Sequence, residues 1–319
     1  MDWIRTPAPI ALFVYNRVHH TRRTVEALAR NEMAAQSELH VFSDGPHLPE
    51  DEAKVEDVRE YVARIEGFRA VHVHTQARNR GASASLLSGI EAVCEQFGRV
   101  IVVEDDLVTS PYFLRYLNQG LALYEDDPEV VSVHGYMYPT GSPLPESFFL
   151  RGADCWGWGT WKRGWAHFNP DGGALLEELE RRGLATEFDF NGTYGFTEML
   201  RDQCAGRSDS WAIRWYASAF LREKLTLYPG RSLVQPIGSA IGSECPGRNG
   251  DPWEDYEVRL SNRPVKLRRL PVREDVFARR IAERYFRELS APPLSKRIRR
   301  RLRRFWRARR EALYGGYVP

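Results

Sequence analysis

The chain has 319 residues, 43% of them hydrophobic, which is enough for one large or two modest domains. Its formal net charge of +2 is uneven: Lys296 to Arg310 holds ten Lys or Arg and no acid, and without those ten the chain nets −8. No stretch approaches the roughly 20 apolar residues of a membrane span, and the start at Met1-Asp2-Trp3 has no signal-peptide pattern, so a cytoplasmic protein is expected.

Residues 1–135 alternate short β-branched runs with amphipathic segments, which predicts an α/β fold with a mostly parallel sheet flanked by helices. Ile10 to Tyr15 reads as a buried strand, His20 to Asn31 as a helix and Leu39 to Ser43 as the second strand. After the turn Asp44-Gly45-Pro46, Pro49 to Glu66 reads as an exposed helix. Ala70 to Thr75 reads as a third strand, in which Val71 and Val73 alternate with His72 and His74.

Leu86, Leu87, Ile90, Val93, Cys94 and Phe97 recur at helical spacing, predicting a helix over Ala82 to Phe97. A fourth strand, Arg99 to Val103, follows it. Ser110-Pro111 has the form of a helix start, with the helix running to about Asp126, and Val130 to His134 is a further strand. From Tyr136 to Gly173 periodicity fades into Gly, Pro and Trp, as in loops that build a site.

Helices are then expected over Gly192 to Ala205 and Trp211 to Glu223, strands over Leu225 to Tyr228 and Ser232 to Ile237, and a polar loop over Gly238 to Asp255. Beyond Arg273 the reading is helical. The expected organisation is therefore a strand–helix half over 1–135, a second half over 136–272 that begins loop-rich, and a basic tail over 273–319. The cysteines Cys94, Cys155, Cys204 and Cys245 are scattered and form no zinc-type spacing.

Three acids, Glu104, Asp105 and Asp106, stand where the Val100 to Val103 strand should end. The carboxyl edge of an open α/β sheet is where ligands bind, and clustered carboxylates there offer hard oxygen ligands to Mn²⁺ or Mg²⁺, with Asp106 the first choice. A bound cation would hold diphosphate oxygens, which suits sugar transfer from a nucleotide diphosphate. The competing reading is that Asp105 or Asp106 begins a turn or caps a helix.

Ile101-Val-Val-Glu-Asp-Asp-Leu-Val108 with Ser110-Pro-Tyr-Phe113 resembles the strand and acidic motif of GT-A glycosyltransferases. The likeness is above all to the N-acetylglucosaminyltransferase that initiates complex N-glycan branching and to related bacterial family 2-like enzymes. Pro9 to Arg17 is similar to their first strand, which implies that Tyr15, Asn16 and Arg17 lie beside the nucleotide. Ser43-Asp44-Gly45 resembles the turn whose aspartate binds uracil or ribose, and Asn79-Arg80-Gly81 the loop near the diphosphate. The resemblance implies a GT-A fold, a UDP-sugar donor, a divalent cation held also by Glu104 and Asp105, and inversion at the transferred sugar. Each residue alone has a plain alternative: Arg17 and Arg80 as solvated surface, Asp44-Gly45 as a tight turn.

Four tryptophans between Cys155 and Trp165 sit in a glycine-rich run that resembles the tryptophan loop of β-1,4-galactosyltransferases. Trp156, Trp158 and Trp161 are candidate acceptor platforms, with core packing as the rival reading. Acids follow that loop directly in those enzymes, whereas Thr160-Trp161-Lys162 stands here, so the base is sought elsewhere. Asp209, in a segment similar to the one carrying the base in the N-acetylglucosaminyltransferase, is assigned as general base, with N-capping as the alternative. Asp154, Asp189, Glu198 and Asp202 stay open for that role.

Ser243-Glu244-Cys245 stands where the bacterial relatives carry Thr-His-Cys, so Glu244 is the candidate second metal contact. Leu294, Ile298, Leu302, Phe305 and Trp306 recur through the arginines of 294–310 as an amphipathic cationic helix suited to an anionic membrane surface, and hence to a lipid-linked glycan acceptor. Nucleic acid is not expected, because the body is acidic and carries no recognised module. A catalytically inactive carbohydrate-binding relative is the rival to a glycosyltransferase. A sugar-nucleotide nucleotidyltransferase would need a glycine-rich phosphate loop that Tyr15-Asn16-Arg17-Val18 does not provide.

Overall fold

The computed structural model describes residues 6–238 and 256–290. Its first third follows the expected alternation closely. β1 (Ile10–Val14), α1 (Val18–Ala29), β2 (Glu38–Ser43), α2 (Glu52–Val62), β3 (Ala70–Thr75), α3 (Ala82–Phe97) and β4 (Arg99–Glu104) succeed one another, and β1 to β4 pair in parallel in the order β3-β2-β1-β4. The side chains of β1 alternate between two cores: Ile10, Leu12 and Val14 face α1 and α2, whereas Ala11 and Phe13 face α3.

The sheet then continues with the expected strand at Val130–His134 and with two, at Ser147–Arg151 and Trp158–Trp161, that sequence periodicity did not reveal. After β5 (Leu107–Thr109) come α4 (Phe113–Leu123), β6 (Val130–His134), β7 (Ser147–Arg151) and β8 (Trp158–Trp161). β8 is antiparallel to both β4 and β6 and lies between them. The Gly-Trp stretch read as loop is thus a central strand. Its glycine at 159 has a physical reason: a Cβ there would stand 3.1 Å from the Val100 carbonyl oxygen and 3.2 Å from a Leu121 methyl.

Ser110 does not cap α4. Its hydroxyl donates to the Ser261 carbonyl at 2.7 Å, and the helix begins at Phe113. The preceding residues are instead in β5, which pairs antiparallel with β10 (Val234–Pro236).

A helical layer completes the chain. It comprises α5 (Lys162–Trp165), α6 (Gly172–Arg181), α7 (Ala185–Phe188), α8 (Phe196–Cys204) and α9 (Trp211–Leu221), then β9 (Leu225–Pro229) and, after β10, α10 (Val276–Leu289). Leu175, Leu179, Phe188, Leu200, Phe220 and Phe286 form a core between α6, α7, α8, α9 and α10. β9 and β7 close the eight-stranded sheet in the order β3-β2-β1-β4-β8-β6-β9-β7, with only β8 and β7 reversed. Strands from before and after residue 135 therefore share one sheet. Among the described residues no helix is long and apolar enough to cross a membrane.

Candidate active site

The chemistry collects at the carboxyl ends of β1, β2 and β4. β4 is apolar through Val103, and the chain turns at Asp105-Asp106 before β5. Asp105 is 4% exposed, and its carbonyl accepts a hydrogen bond from the Thr24 hydroxyl of α1 at 2.8 Å. Arg17, at the start of α1, donates from one guanidinium nitrogen to both carboxylates, to Asp105 Oδ1 and to Asp106 Oδ2 at 3.1 Å. Burial pushes the Asp105 carboxyl up to about 6, against the pull of Arg17, and the neighbouring Asp106 charge adds to the rise. Asp105 Oδ2 is buried and has no hydrogen-bond partner among the described residues.

An orphaned buried carboxylate oxygen beside a second carboxylate is a suitable donor set for a hard divalent cation. Asp105 and Asp106 fit such an ion, and Arg17 supplies positive charge at the same place. α1 begins at this corner, and among the described residues no side chain caps its first turn.

Asp44 is engaged by the backbone around it. Buried at the end of β2, it accepts from the Gly45, Arg80 and Gly81 amides, with the Arg80 amide shared by both oxygens. Its carboxylate therefore clamps the loop that opens α3. Asn79 fastens the same loop to the Gly45 carbonyl at 2.8 Å. Gly45 is required here, because a Cβ would stand 2.5 Å from the Arg78 carbonyl carbon. The Arg80 side chain is exposed and reaches back to Ser88 at 3.3 Å.

Tyr15 and Asn16 are likewise engaged. The Tyr15 hydroxyl and the Asn16 amide each donate to Asp51 at 2.9 Å, and the two hydrogen bonds hold the Asp51 carboxyl below its ordinary range. Asp51 was not singled out from the sequence; its place in Leu48-Pro-Glu-Asp51, a helix entry, was the available signal. His20 was also missed. One helical turn beyond Arg17, it is half-buried, and burial followed by the Arg17 charge pushes its imidazole pKa down, while Asp106 raises it. Glu104 ends β4 opposite Phe13.

On the acceptor side the tryptophans divide. Trp158 is 0% exposed and packs among Trp165, Trp211 and Trp215; Trp161 is 3% exposed and donates its ring N–H to the Leu121 carbonyl at 3.1 Å. Neither face is open to a sugar, so the expectation of acceptor platforms at Trp158 and Trp161 is corrected: reversal of β8 places them inside the sheet's cores. Trp156 precedes β8 and is half-buried, edge-on to Tyr136 and Tyr256 at 4.9 and 5.2 Å.

Because β8 runs backwards, its entry, Asp154 to Trp156, reaches the same rim as the β4 and β6 exits. There Asp154 accepts from the Tyr138 hydroxyl at 2.5 Å and from the Cys155 amide at 2.8 Å. His134, wholly buried at the end of β6, accepts the Trp156 amide on Nε2 at 3.1 Å, and burial holds its pKa low. Asp209 precedes the cap of α9, which is Ser210, so the N-cap alternative falls to its neighbour. The Asp209 side chain is 64% exposed and lies 3.6 Å from Arg214, which in turn donates to Ser83 at the start of α3. Glu244 and the basic 294–310 segment lie outside the described residues.

Residues 7–134, from the approach to β1 to the end of β6, match the family model for glycosyltransferase like family 2. No curated protein sequence matches the chain. Among solved structures the chain is similar to S. aureus TarS, at 13% identity over 72% of this chain and 36% of that one, with a TM-score of 0.39. A form of TarS covering 1–349 gives 12% identity over 72% of this chain and 60% of that one, also at 0.39. The mannosyltransferase PcManGT from Pyrobaculum calidifontis, solved with GDP-Man and Mn²⁺, gives 12% identity over 57% of this chain and 48% of that one, at 0.34. The chain thus spans between about a third and three fifths of the length of these proteins. The match to glycosyltransferase like family 2 thus covers residues 7–134, and the mostly parallel sheet flanked by helices is consistent with a GT-A fold.

Proposed function

We propose that the glycosyltransferase family 2-like domain of residues 7–134 binds a nucleotide diphosphate sugar, and that the whole chain transfers the sugar, with inversion, to a glycan or lipid-linked glycan hydroxyl. The observation that carries this reading is the Asp105–Asp106 pair at a parallel-strand terminus, with its orphaned carboxylate oxygen and Arg17 beside the start of α1. Asp105 and Asp106 would hold Mn²⁺ or Mg²⁺, which when bound neutralises charge on the departing diphosphate. Glu104 and Glu244 are proposed to support that ion.

Arg17 and the amides of α1 attract the diphosphate electrostatically. Asp44 and Asn79 fix the wall formed by the loop at Arg80, against which the base and ribose are proposed to lie, with UDP the favoured nucleotide. Tyr15 and Asn16, held by Asp51, shape the opposite side. Asp209 is proposed to take the proton of the acceptor hydroxyl as that oxygen attacks the anomeric carbon and the nucleoside diphosphate leaves. Trp156 supplies the aromatic face for the acceptor. The basic segment 294–310 is proposed to hold the enzyme against an anionic membrane surface.

The test is a thermal-shift and transfer screen of nucleotide sugars with Mn²⁺. Asp106→Ala is expected to lose donor-induced stabilisation, and Asp209→Asn to keep it while losing turnover. Wild-type donor binding and transfer in Asp106→Ala would overturn the reading. One observation favours a metal-free variant of the mechanism: Arg17 already bridges both carboxylates and offers a fixed cation to the diphosphate. Undiminished transfer in excess chelator would select that variant.

A further inference from the structure

The alternation of His72 and His74 with valines in β3 is not used by the proposed transfer. β3 is an edge strand, and its register sets His72 beside His40 and His74 beside Phe42, all on the α3 face of the sheet. Glu38 shares that face, two residues before His40. Glu38 Oε2 stands 3.5 Å from His40 Nε2 and 3.8 Å from His72 Nε2, and one ligand atom from each of the three residues lies within 4.8 Å of the others.

We propose that Glu38, His40 and His72 form a binding site for a divalent transition cation of zinc type, clipping the edge strand β3 to β2. Metal–ligand distances of about 2.0 to 2.2 Å in tetrahedral geometry separate neighbouring ligand atoms by about 3.3 to 3.6 Å, and the two Glu38 contacts already stand within a few tenths of an ångström of that spacing. His40 Nε2 is buried with no hydrogen-bond partner among the described residues, on a side chain only 6% exposed, and it stands 3.5 Å from Glu38 Oε2. A buried imidazole nitrogen without a partner is costly unless something fills the role.

The surroundings suit a ligand set. His40 Nδ1 lies 3.3 Å from His74 Nε2, and with Nδ1 as the donor of that pair Nε2 is left free to coordinate. Arg69 engages the other oxygen of Glu38, turning Oε2 toward the imidazoles. His72, 46% exposed, offers entry from solvent and leaves room for a water as fourth ligand. Two imidazoles and one carboxylate select zinc over Mg²⁺ or Mn²⁺, so the site is chemically distinct from Asp105 and Asp106. It is also remote, since Glu38 and Asp44 bracket the full length of β2, about 20 Å of extended chain.

The experiment titrates ZnCl₂ alone, by calorimetry, into the full chain freed of metal by chelation, with Co²⁺ absorption reporting imidazole coordination. One equivalent is expected to bind to the wild type and equally to Asp106→Ala, and to raise the melting temperature of both. His72→Ala, an exposed change that leaves the buried His40 in place, and Glu38→Gln are each expected to weaken binding by more than about tenfold. Wild-type affinity in His72→Ala and Glu38→Gln, or wild-type binding weaker than about 100 μM, overturns the proposal. Loss of the bound equivalent in Asp106→Ala also overturns it, by assigning the ion to the acidic pair. None of these outcomes depends on whether the chain transfers sugars.

Discussion

Removing Arg17 tests the electrostatics of the acidic pair most directly. In the wild type Asp105 is almost wholly buried, and even with Arg17 beside it its carboxyl titrates near about 6 rather than 3.8. Ionising Asp105 therefore costs the folded protein stability. The sign follows from linkage: the folded state binds this proton more tightly than the unfolded state, so the cost is absent below pH 3.8 and complete above about 6. Arg17→Ala removes the guanidinium and leaves two adjacent carboxylates, one buried, which extends the cost to higher pH. Breaking a buried pair typically costs about 3 to 5 kcal/mol, and because the Arg17 side chain is 29% exposed the lower end applies.

For a chain of this size that corresponds to a fall of roughly 4 to 5 °C in melting temperature at pH 7.5. At pH 5, where Asp105 is protonated in the variant, the fall shrinks. Mn²⁺ replaces the lost positive charge, so it should stabilise Arg17→Ala more than the wild type. Thermal unfolding at both pH values, with and without Mn²⁺, reads all three effects. An equal loss at pH 7.5 and pH 5, together with no extra Mn²⁺ response, would refute the assignment of Arg17 as the counter-charge of Asp105.

Asp44→Ala strips the acceptor from three backbone amides and should cost about 3 kcal/mol by chemical denaturation while weakening donor binding; an unchanged midpoint sinks the loop-clamp role. Trp158→Ala empties a buried site and should cost about 3 to 5 kcal/mol, whereas Trp156→Ala should raise the acceptor KM with little effect on the donor KM. Parallel changes in both KM values would remove Trp156 from the acceptor site. His134 is kept neutral by burial, so its contribution to stability is complete above pH 6.5 and declines as pH falls below it, by up to about 1.4 kcal/mol per unit. His134→Gln keeps an acceptor for the Trp156 amide, and its melting temperature should fall less than the wild type's between pH 7.5 and 5.5; an identical slope rejects this.

The first four strand–helix units were legible because each element carries its own signal. Ala70–Thr75 and Ala82–Phe97 have the expected ends, since period-2 and period-3.6 patterns are local. Trp158–Trp161 was illegible for a tertiary reason. Gly159 is there to let Val100 and Leu121 approach, and the tryptophans fill two cores, so neither reports a strand by propensity. The acidic pair was visible as misplaced charge at a strand end. Its engagement with Arg17 was not, because that contact joins residues 88 apart in the chain. Asp44 showed the same limit: its motif marked a turn at the sheet edge, but only the fold revealed that the amides of residues 80 and 81 consume its carboxylate.

The reversed strand β8 also sets an order for folding. Until residues 158–161 have been synthesised, β4 has β1 on one side and an open apolar edge on the other, Val100-Ile101-Val102-Val103. Such an edge is a template for wrong pairing between chains. A fragment stopping at His134, where the family match ends, retains every residue of the acidic corner yet leaves both β4 and β6 without the strand that joins them. It should aggregate rather than fold. Assembly of the N-terminal half therefore waits on a strand encoded some fifty residues beyond β4, and nascent chains pass through a window in which their most apolar edge needs shielding.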